Sequence, residues 1–396
     1  MDSIIENIVQ IKSFSCVPNL FNPLQKNYFN ITGSGFFINS NGYIFTCYNL
    51  IKYSLIINIK MHPDFSKTYR ATIISICPEK DIALLKININ SSQKSLSLGN
   101  PELININDCI NIYYNDKTIK SHKTNIILIN KYFVIKDKYP MKSYGCPVFN
   151  KDDKLIGFNK IILFNNNFTN VVVPISYLFS ILSELFNNKI VYIPRIFIET
   201  QNINNQSIIK QIHKFSPLIN NIKESDIILN INNHTNLNTL KHVYNVNDNF
   251  KMQYKSKDNK NHTIKFKPSC NNIFCIKFIN FPFEKLDYII LNHLIFMQLK
   301  MDHLININSL NLSREKLHML NKFKKLKNRI FSVVFISHMF RKDSVFEIGD
   351  IIIEINDKKI SKISDIQNIV FNTNNKNLLV VKTILDETKI LDLHVR

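Results

Sequence analysis

The sequence predicts a mainly β protein with some α, built from more than one domain. Three observations predict this class. The chain holds only seven glycines among 396 residues, and six of them lie before residue 160. The segments between those glycines are short, rich in Ile, Val, Phe and Tyr, and closed by Asn, Asp and Gly turns. Farther on, a polar pair opens an alternating apolar run twice, at Ser225-Asp226 and Gly349-Asp350.

Gly33, Gly35, Gly42, Gly99, Gly145 and Gly157 mark places where the backbone needs φ > 0 or a close neighbour. Gly33 to Ile38 and Tyr43 to Thr46 read as a hairpin around Asn39-Ser40-Asn41-Gly42. Leu55–Lys60, Arg70–Ile76 and Ile82–Ile87 continue as strands, the last opened by Asp81. Cys109–Tyr113, Asn125–Ile129 and Tyr132–Ile135 follow. Pro147–Phe149 and Lys154–Phe158 form a second hairpin, Val171–Pro174 a last strand, and Ile175–Phe186 carries helical spacing.

The formal charge is +20, and 45% of the residues are hydrophobic. Lysine is spread along the chain, as codon bias toward A and T would spread it. Such bias suits a large DNA virus of a protist or insect, or an A/T-rich eukaryotic parasite. The densest basic cluster, Lys322, Lys324, Lys325, Lys327 and Arg329, is the candidate nucleic-acid contact. Seven cysteines without a CxxC pair argue against a disulfide framework or zinc site and for a reducing compartment. No apolar run approaches the roughly 20 residues of a membrane span. Met1–Gln10 lacks the basic start and apolar core of a secretory signal. The expectation is therefore an intracellular protein, cytoplasmic, nuclear or virion-associated, with no cofactor and no metal.

Gly33-Ser34-Gly35-Phe36-Phe37-Ile38, Gly42-Tyr43-Ile44-Phe45-Thr46 and Asp81-Ile82-Ala83-Leu84-Leu85-Lys86 resemble the opening of HtrA/Deg proteases of the trypsin-like superfamily. Leu98-Gly99, Gly145-Cys146-Pro147-Val148-Phe149, Leu155-Ile156-Gly157-Phe158 and Val173-Pro174-Ile175 resemble later family segments in the family's order. The resemblance implies a trypsin-like double β-barrel over residues 25–188, after an N-terminal segment of residues 1–24.

It also implies where the chemistry should sit. A serine protease needs a hydroxyl nucleophile, an imidazole base and a carboxylate that orients the base. Asp81 falls on the acid position. Asn49 falls on the base position, where an amide cannot take a proton near neutral pH. Tyr144 falls on the nucleophile position, and its phenol titrates ordinarily near ~10. Lys142 replaces the glycine that shapes the oxyanion hole. A shift of register would offer Ser143, and a thiol mechanism would offer Cys146, although Pro147 follows it directly. His62 and His122 lie in apparent loops away from the base position.

The C-terminal half resembles HtrA-type PDZ domains, one over residues 189–268 and a second over residues 269–396 with a helical insertion. In the first, Ile193–Ile198, Ser207–Ile212 and Ser225–Asn232 supply strands and Leu237–Tyr244 a helix. In the second, Ile273–Phe281 and Val333–Ser337 supply strands, Tyr288–Lys300 the helical insertion, Ser364–Phe371 a helix and Leu378–Thr383 a strand. PDZ domains hold a peptide's C-terminal carboxylate on backbone N–H groups. Ile196, Phe197, Cys275 and Ile276 fall on that loop, without its usual glycine. The resemblance implies protein or peptide partners and a homotrimer. The functional expectation is an inactive protease homologue acting as a protein-binding scaffold or chaperone-like factor. An endopeptidase with a rearranged site and a basic protein contacting nucleic acid are the alternatives.

Overall fold

The computed structural model describes residues 2–89, 96–116, 118–129, 132–164, 167–203, 206–235, 244, 246–342, 345–372 and 378–393. It divides into two compact units, Met1–Cys16 with Tyr28–Cys270, and Val17–Asn27 with Asn271–Arg396.

The larger unit opens with strands β1 (Ile8–Pro18), β2 (Lys26–Phe37), β3 (Tyr43–Thr46), β4 (Ser54–Met61), β5 (Tyr69–Arg70), β6 (Thr72–Cys77) and β7 (Ile82–Lys86). They form one sheet in the order β5-β4-β1-β2-β3-β7-β6. Strands β8 (Cys109–Asp116), β9 (Thr118–Ile129), β10 (Phe133–Ile135), β11 (Pro147–Phe149), β12 (Leu155–Phe164) and β13 (Asn167–Pro174) follow. They close into a barrel in the order β10-β13-β12-β11-β8-β9. Ile110, Ile112, Ile126, Val148, Ile156 and Val172 fill it, inward residues of a period-2 pattern. These are the barrel-like sheets expected of a mainly β, double-barrel chain. The predicted hairpin is present, with Phe36 opposite Phe45 and Phe37 opposite Ile44. The rings of Phe45 and Phe158 meet at 4.6 Å, which joins the first sheet to the barrel.

Residues 1–24 do not stand apart. Ile8, Val9 and Ile11 are fully buried, and β1 pairs with β4 from Val9↔Met61 to Ser15↔Ser54. His122, expected in a loop, lies on β9 opposite Ile112, because a polar run can be strand when its face is solvated. The helical stretch after β13 is two short helices, Ser176–Phe179 and Leu182–Asn187.

The same unit ends in an antiparallel sheet of β14 (Ile198–Ile203), β15 (Gln206–Ile212), β16 (Ile227–Ile231), β17 (Phe250–Lys255) and β18 (Asn261–Phe266). The helix expected over Leu237–Tyr244 lies outside the described residues, apart from Tyr244.

The smaller unit holds β19 (Tyr288–Leu291), β20 (Leu294–Gln298), β21 (Val334–Met339), β22 (Ile351–Ile355), β23 (Lys358–Lys359), β24 (Leu378–Thr383) and β25 (Thr388–Asp392). Their order is β19-β20-β21-β22-β24-β25, with β23 on β22. Tyr288–Lys300, expected as a helix, is a hairpin with Leu291 opposite Leu294. Its strands are apolar at successive positions, and Leu294–Gln298 is buried throughout, so periodicity could not separate helix from strand. Asn292, with φ of 52°, turns the chain between β19 and β20. Ile273–Phe281, expected as strands, is a short 3₁₀ turn and irregular chain. The helical insertion is instead Met301–Asn306 and Arg314–Lys322. Helix Ile363–Asn372 buries Ile363, Ile366 and Ile369 against the sheet, as its three-residue spacing predicts.

The Ser225-Asp226 and Gly349-Asp350 segments share one local design. Ser225 and Gly349 have φ of 76° and 92°. Their N–H groups donate to Ile209 and Ile336 carbonyls at 2.7 and 2.8 Å. The following carboxylates accept from Lys223 and Glu347 N–H at 2.8 and 3.0 Å. Serine thus adopts at 225 the left-handed conformation that glycine adopts freely at 349.

Candidate active site

Asp81 stands at the turn before β7, with φ of 60° and 2% exposure. Its position is set by the short helix Tyr48–Ile51, which begins at Cys47 without a side-chain cap. Asp81 supplies the missing acceptors. Its backbone carbonyl accepts from Tyr48 N–H at 3.1 Å, and Oδ1 accepts from Asn49 N–H at 2.8 Å. Asp81 therefore caps the helix that carries the exposed Asn49, the residue expected at the base position.

Oδ2 of Asp81 faces the other way and accepts from the Tyr144 hydroxyl at 2.5 Å. Lys160 Nζ lies 3.0 Å from the same oxygen. The side chain expected at the nucleophile position thus donates directly to the carboxylate expected as the acid. Tyr144 is 6% exposed, and burial above all pushes its phenol far up, with Cys47 and Asp81 adding to the shift. A hydrogen bond with the Asn49 side chain opposes it. At Lys160 burial would lower the ammonium, but Asp81 together with Cys47 and Tyr132 outweighs it and holds it above its ordinary value. The cluster is a buried carboxylate neutralised by a lysine and saturated with donors.

The backbone around Tyr144 is equally committed. Met141–Ser143 is a 3₁₀ turn, and Tyr144 N–H donates to the Met141 carbonyl at 3.0 Å. An oxyanion hole would use this N–H. Lys142 is half-buried, and its carbonyl accepts from Ser34 Oγ at 2.6 Å. Gly145 N–H donates to Asn159 O at 2.9 Å. Gly145 has φ of 84°, and a Cβ there would meet the Ser34 carbonyl at 2.5 Å. Only glycine fits between the first sheet and the barrel at this point.

The alternative nucleophiles are buried as well. Ser143 Oγ donates to the Pro140 carbonyl at 2.7 Å and accepts from Asn159 Nδ2 at 2.9 Å. No histidine is among these partners. Cys146 belongs to the barrel core, and burial pushes its thiol well up. His62 precedes Pro63 and packs edge-on to Phe65, while exposed His122 stacks on Tyr114.

The remaining sequence candidates scatter. Ile196 packs half-buried on the core of the β14–β18 sheet, and its carbonyl accepts from Ser216 Oγ. Phe197, with φ of 54°, stands against Phe215. In the smaller unit Cys275 is exposed, whereas Ile276 is fully buried and its N–H donates to the Arg329 carbonyl. Lys322, Lys324, Lys325 and Lys327 are exposed, while Arg329 folds back onto the Lys324 carbonyl. All seven cysteines are free. Among the described residues no helix is long and apolar enough to cross a membrane.

Sequence reasoning missed Lys160 and Asn159. A lysine amid the apolar run of β12 is the signal, since a charge inside a buried strand needs a partner.

Residues 33–158 match the model of the trypsin-like peptidase domain. No curated protein sequence matches the chain significantly. Among solved structures, a serine-to-alanine variant of the HtrA-type protease AlgW with a decapeptide superposes with a TM-score of 0.56 and 13% identity. It covers 68% of this chain and 97% of its own. AlgW with a tripeptide gives 0.55 and 12%, over 68% and 95%. A serine endoprotease from Yersinia pestis gives 0.50 and 16%, over 68% and 96%. Residues 33–158 are therefore similar to the trypsin-like peptidase domain, in a chain that shares the fold of HtrA-type proteases.

Proposed function

We propose that the chain is a protease homologue that has given up peptide-bond cleavage and serves as a protein-binding scaffold or chaperone-like factor. The observation that carries this reading is the Tyr144 hydroxyl seated on Asp81 beside Lys160. Hydrolysis would need an imidazole on that carboxylate and a free hydroxyl beyond it. Asn49 at the base position and the engaged Tyr144 N–H support the same reading. Protein or peptide partners and a homotrimer belong to the proposal through the HtrA likeness, as does an intracellular or virion-associated setting. The two repeated Asp-turn segments support the reading of residues 189–268 and 269–396 as PDZ-like modules. Peptide capture at residue 276 is disfavoured, because its N–H is already used.

The competing reading is an endopeptidase acting through Ser143 or Cys146. Both side chains are buried, and Ser143 is held by Pro140 and Asn159, so nothing in the site favours it. Casein and fluorogenic-peptide turnover tests the choice. The wild-type chain and the Ser143→Ala, Tyr144→Ala and Cys146→Ala variants should all sit at the buffer baseline. Turnover that one of these variants abolishes would sink the scaffold reading.

A further inference from the structure

We propose that the outer face of the β17–β18 hairpin binds the phosphodiester backbone of a nucleic acid. Residues 251–267 carry six lysines, Lys251, Lys255, Lys257, Lys260, Lys265 and Lys267, against one acid, Asp258. Six in seventeen is nearly three times the chain's own proportion of 50 basic residues in 396, so uniform codon bias does not account for it.

The strand alternation sorts these residues by face. Phe250, Met252 and Tyr254 are buried beneath the sheet. Lys251 and Lys265 are exposed on the opposite face and stand directly across from each other. Like charges opposite each other destabilise a strand pair. Opposite-charge partners are the usual remedy, yet none of the six lysines is ion-paired among the described residues. An anion from outside the chain would relieve the repulsion. An open groove of about 440 Å³ is already formed there, lined by Asn249, Phe250, Lys251, Lys265, Phe266 and Lys267.

The rest of the face selects among polyanions. Gln253 and Asn230 hydrogen-bond side by side, and Asn261 and Thr263 complete an uncharged polar surface. A membrane surface would call for apolar anchors between the lysines, and a protein partner for an aromatic hot spot. No ring stands free there: Phe250 and Tyr254 are buried, and Phe266, at the groove, packs edge-on to Phe250 against the core. Lys265 and Lys267, two residues or about 6.6 Å apart, with Lys251 directly across from Lys265, suit sequence-independent backbone contact. The Lys322–Arg329 cluster lacks these features, since Arg329 is spent on the Lys324 carbonyl.

The test is anisotropy of a short labelled duplex DNA titrated with the full chain between about 50 and 200 mM salt. With six phosphate contacts, affinity should fall on the order of 1,000-fold across that range. The Lys251→Gln/Lys265→Gln/Lys267→Gln variant should fold normally, bind more weakly at low salt and lose about 0.9 of salt slope per lysine. The Lys322→Gln/Lys324→Gln/Lys325→Gln/Lys327→Gln variant should retain the wild-type slope. The proposal is overturned by absence of binding at low salt, by a hairpin variant with unchanged slope, or by binding to phosphatidylserine vesicles in place of DNA.

Discussion

Asp81 takes donors from Asn49, Tyr144 and Lys160, and each of the three carries a different part of the account. The Asn49 N–H makes Asp81 a helix cap, a role independent of catalysis. The Tyr144 hydroxyl closes the site, and Lys160 neutralises the charge. Lys160→Met leaves the Asp81 carboxylate buried without a counter-charge, and should destabilise the larger unit by about 3–5 kcal/mol. Adding Asp81→Asn to Lys160→Met should recover a large part of that loss, which denaturant melts of the two variants would measure. Equal losses in both would show that the pair is not coupled. The sequence placed Asp81, Asn49, Tyr144 and Lys142 through motif spacing. It could not show that Tyr144 turns onto Asp81, because that contact joins residues 63 positions apart.

At the scale of elements, the segment Met141–Phe149 locks the first sheet to the barrel. Ser34 N–H donates to Tyr144 O at 2.9 Å, Ser34 Oγ donates to Lys142 O, and Thr46 Oγ1 donates to Ser34 O at 2.9 Å. Gly145 sits at the centre of this seam. Gly145→Ala adds a Cβ against the Ser34 carbonyl at a positive φ, and should cost about 1–3 kcal/mol. An unchanged denaturation midpoint would show that the seam yields. The strands near glycines were legible because turn residues bound them on both sides. The β19–β20 hairpin was not, since its strands are apolar on both faces and its turn, Asn292-His293, lacks glycine. β1 was missed for a different reason: its partner β4 lies more than forty residues later, and pairing at that distance leaves no local mark.

The molecule as a whole combines a domain of trypsin-like fold with sheet modules that repeat an Asp-centred turn. The smaller unit also carries an acid sensitivity of its own. His303 is fully buried between Phe21 and Phe335, and its Nδ1 accepts from Lys300 N–H at 3.0 Å. Burial, chiefly, pulls its pKa down to about 4 from an ordinary 6.5. The unfolded chain takes up a proton that the folded chain refuses, so stability falls as the pH drops from about 6.5 to about 4. The full loss is about 3 kcal/mol. Denaturant melts followed by far-ultraviolet dichroism should show this slope, and His303→Gln should remove it; an unchanged slope in the variant would assign the acid loss elsewhere. A protease homologue that has given up cleavage should hold no activated nucleophile among residues 33–158. Intact-mass analysis after exposure to a fluorophosphonate, which phosphonylates activated serines, tests this most directly. The wild-type chain should keep its unmodified mass. A single adduct at Ser143, absent from Ser143→Ala, would contradict it.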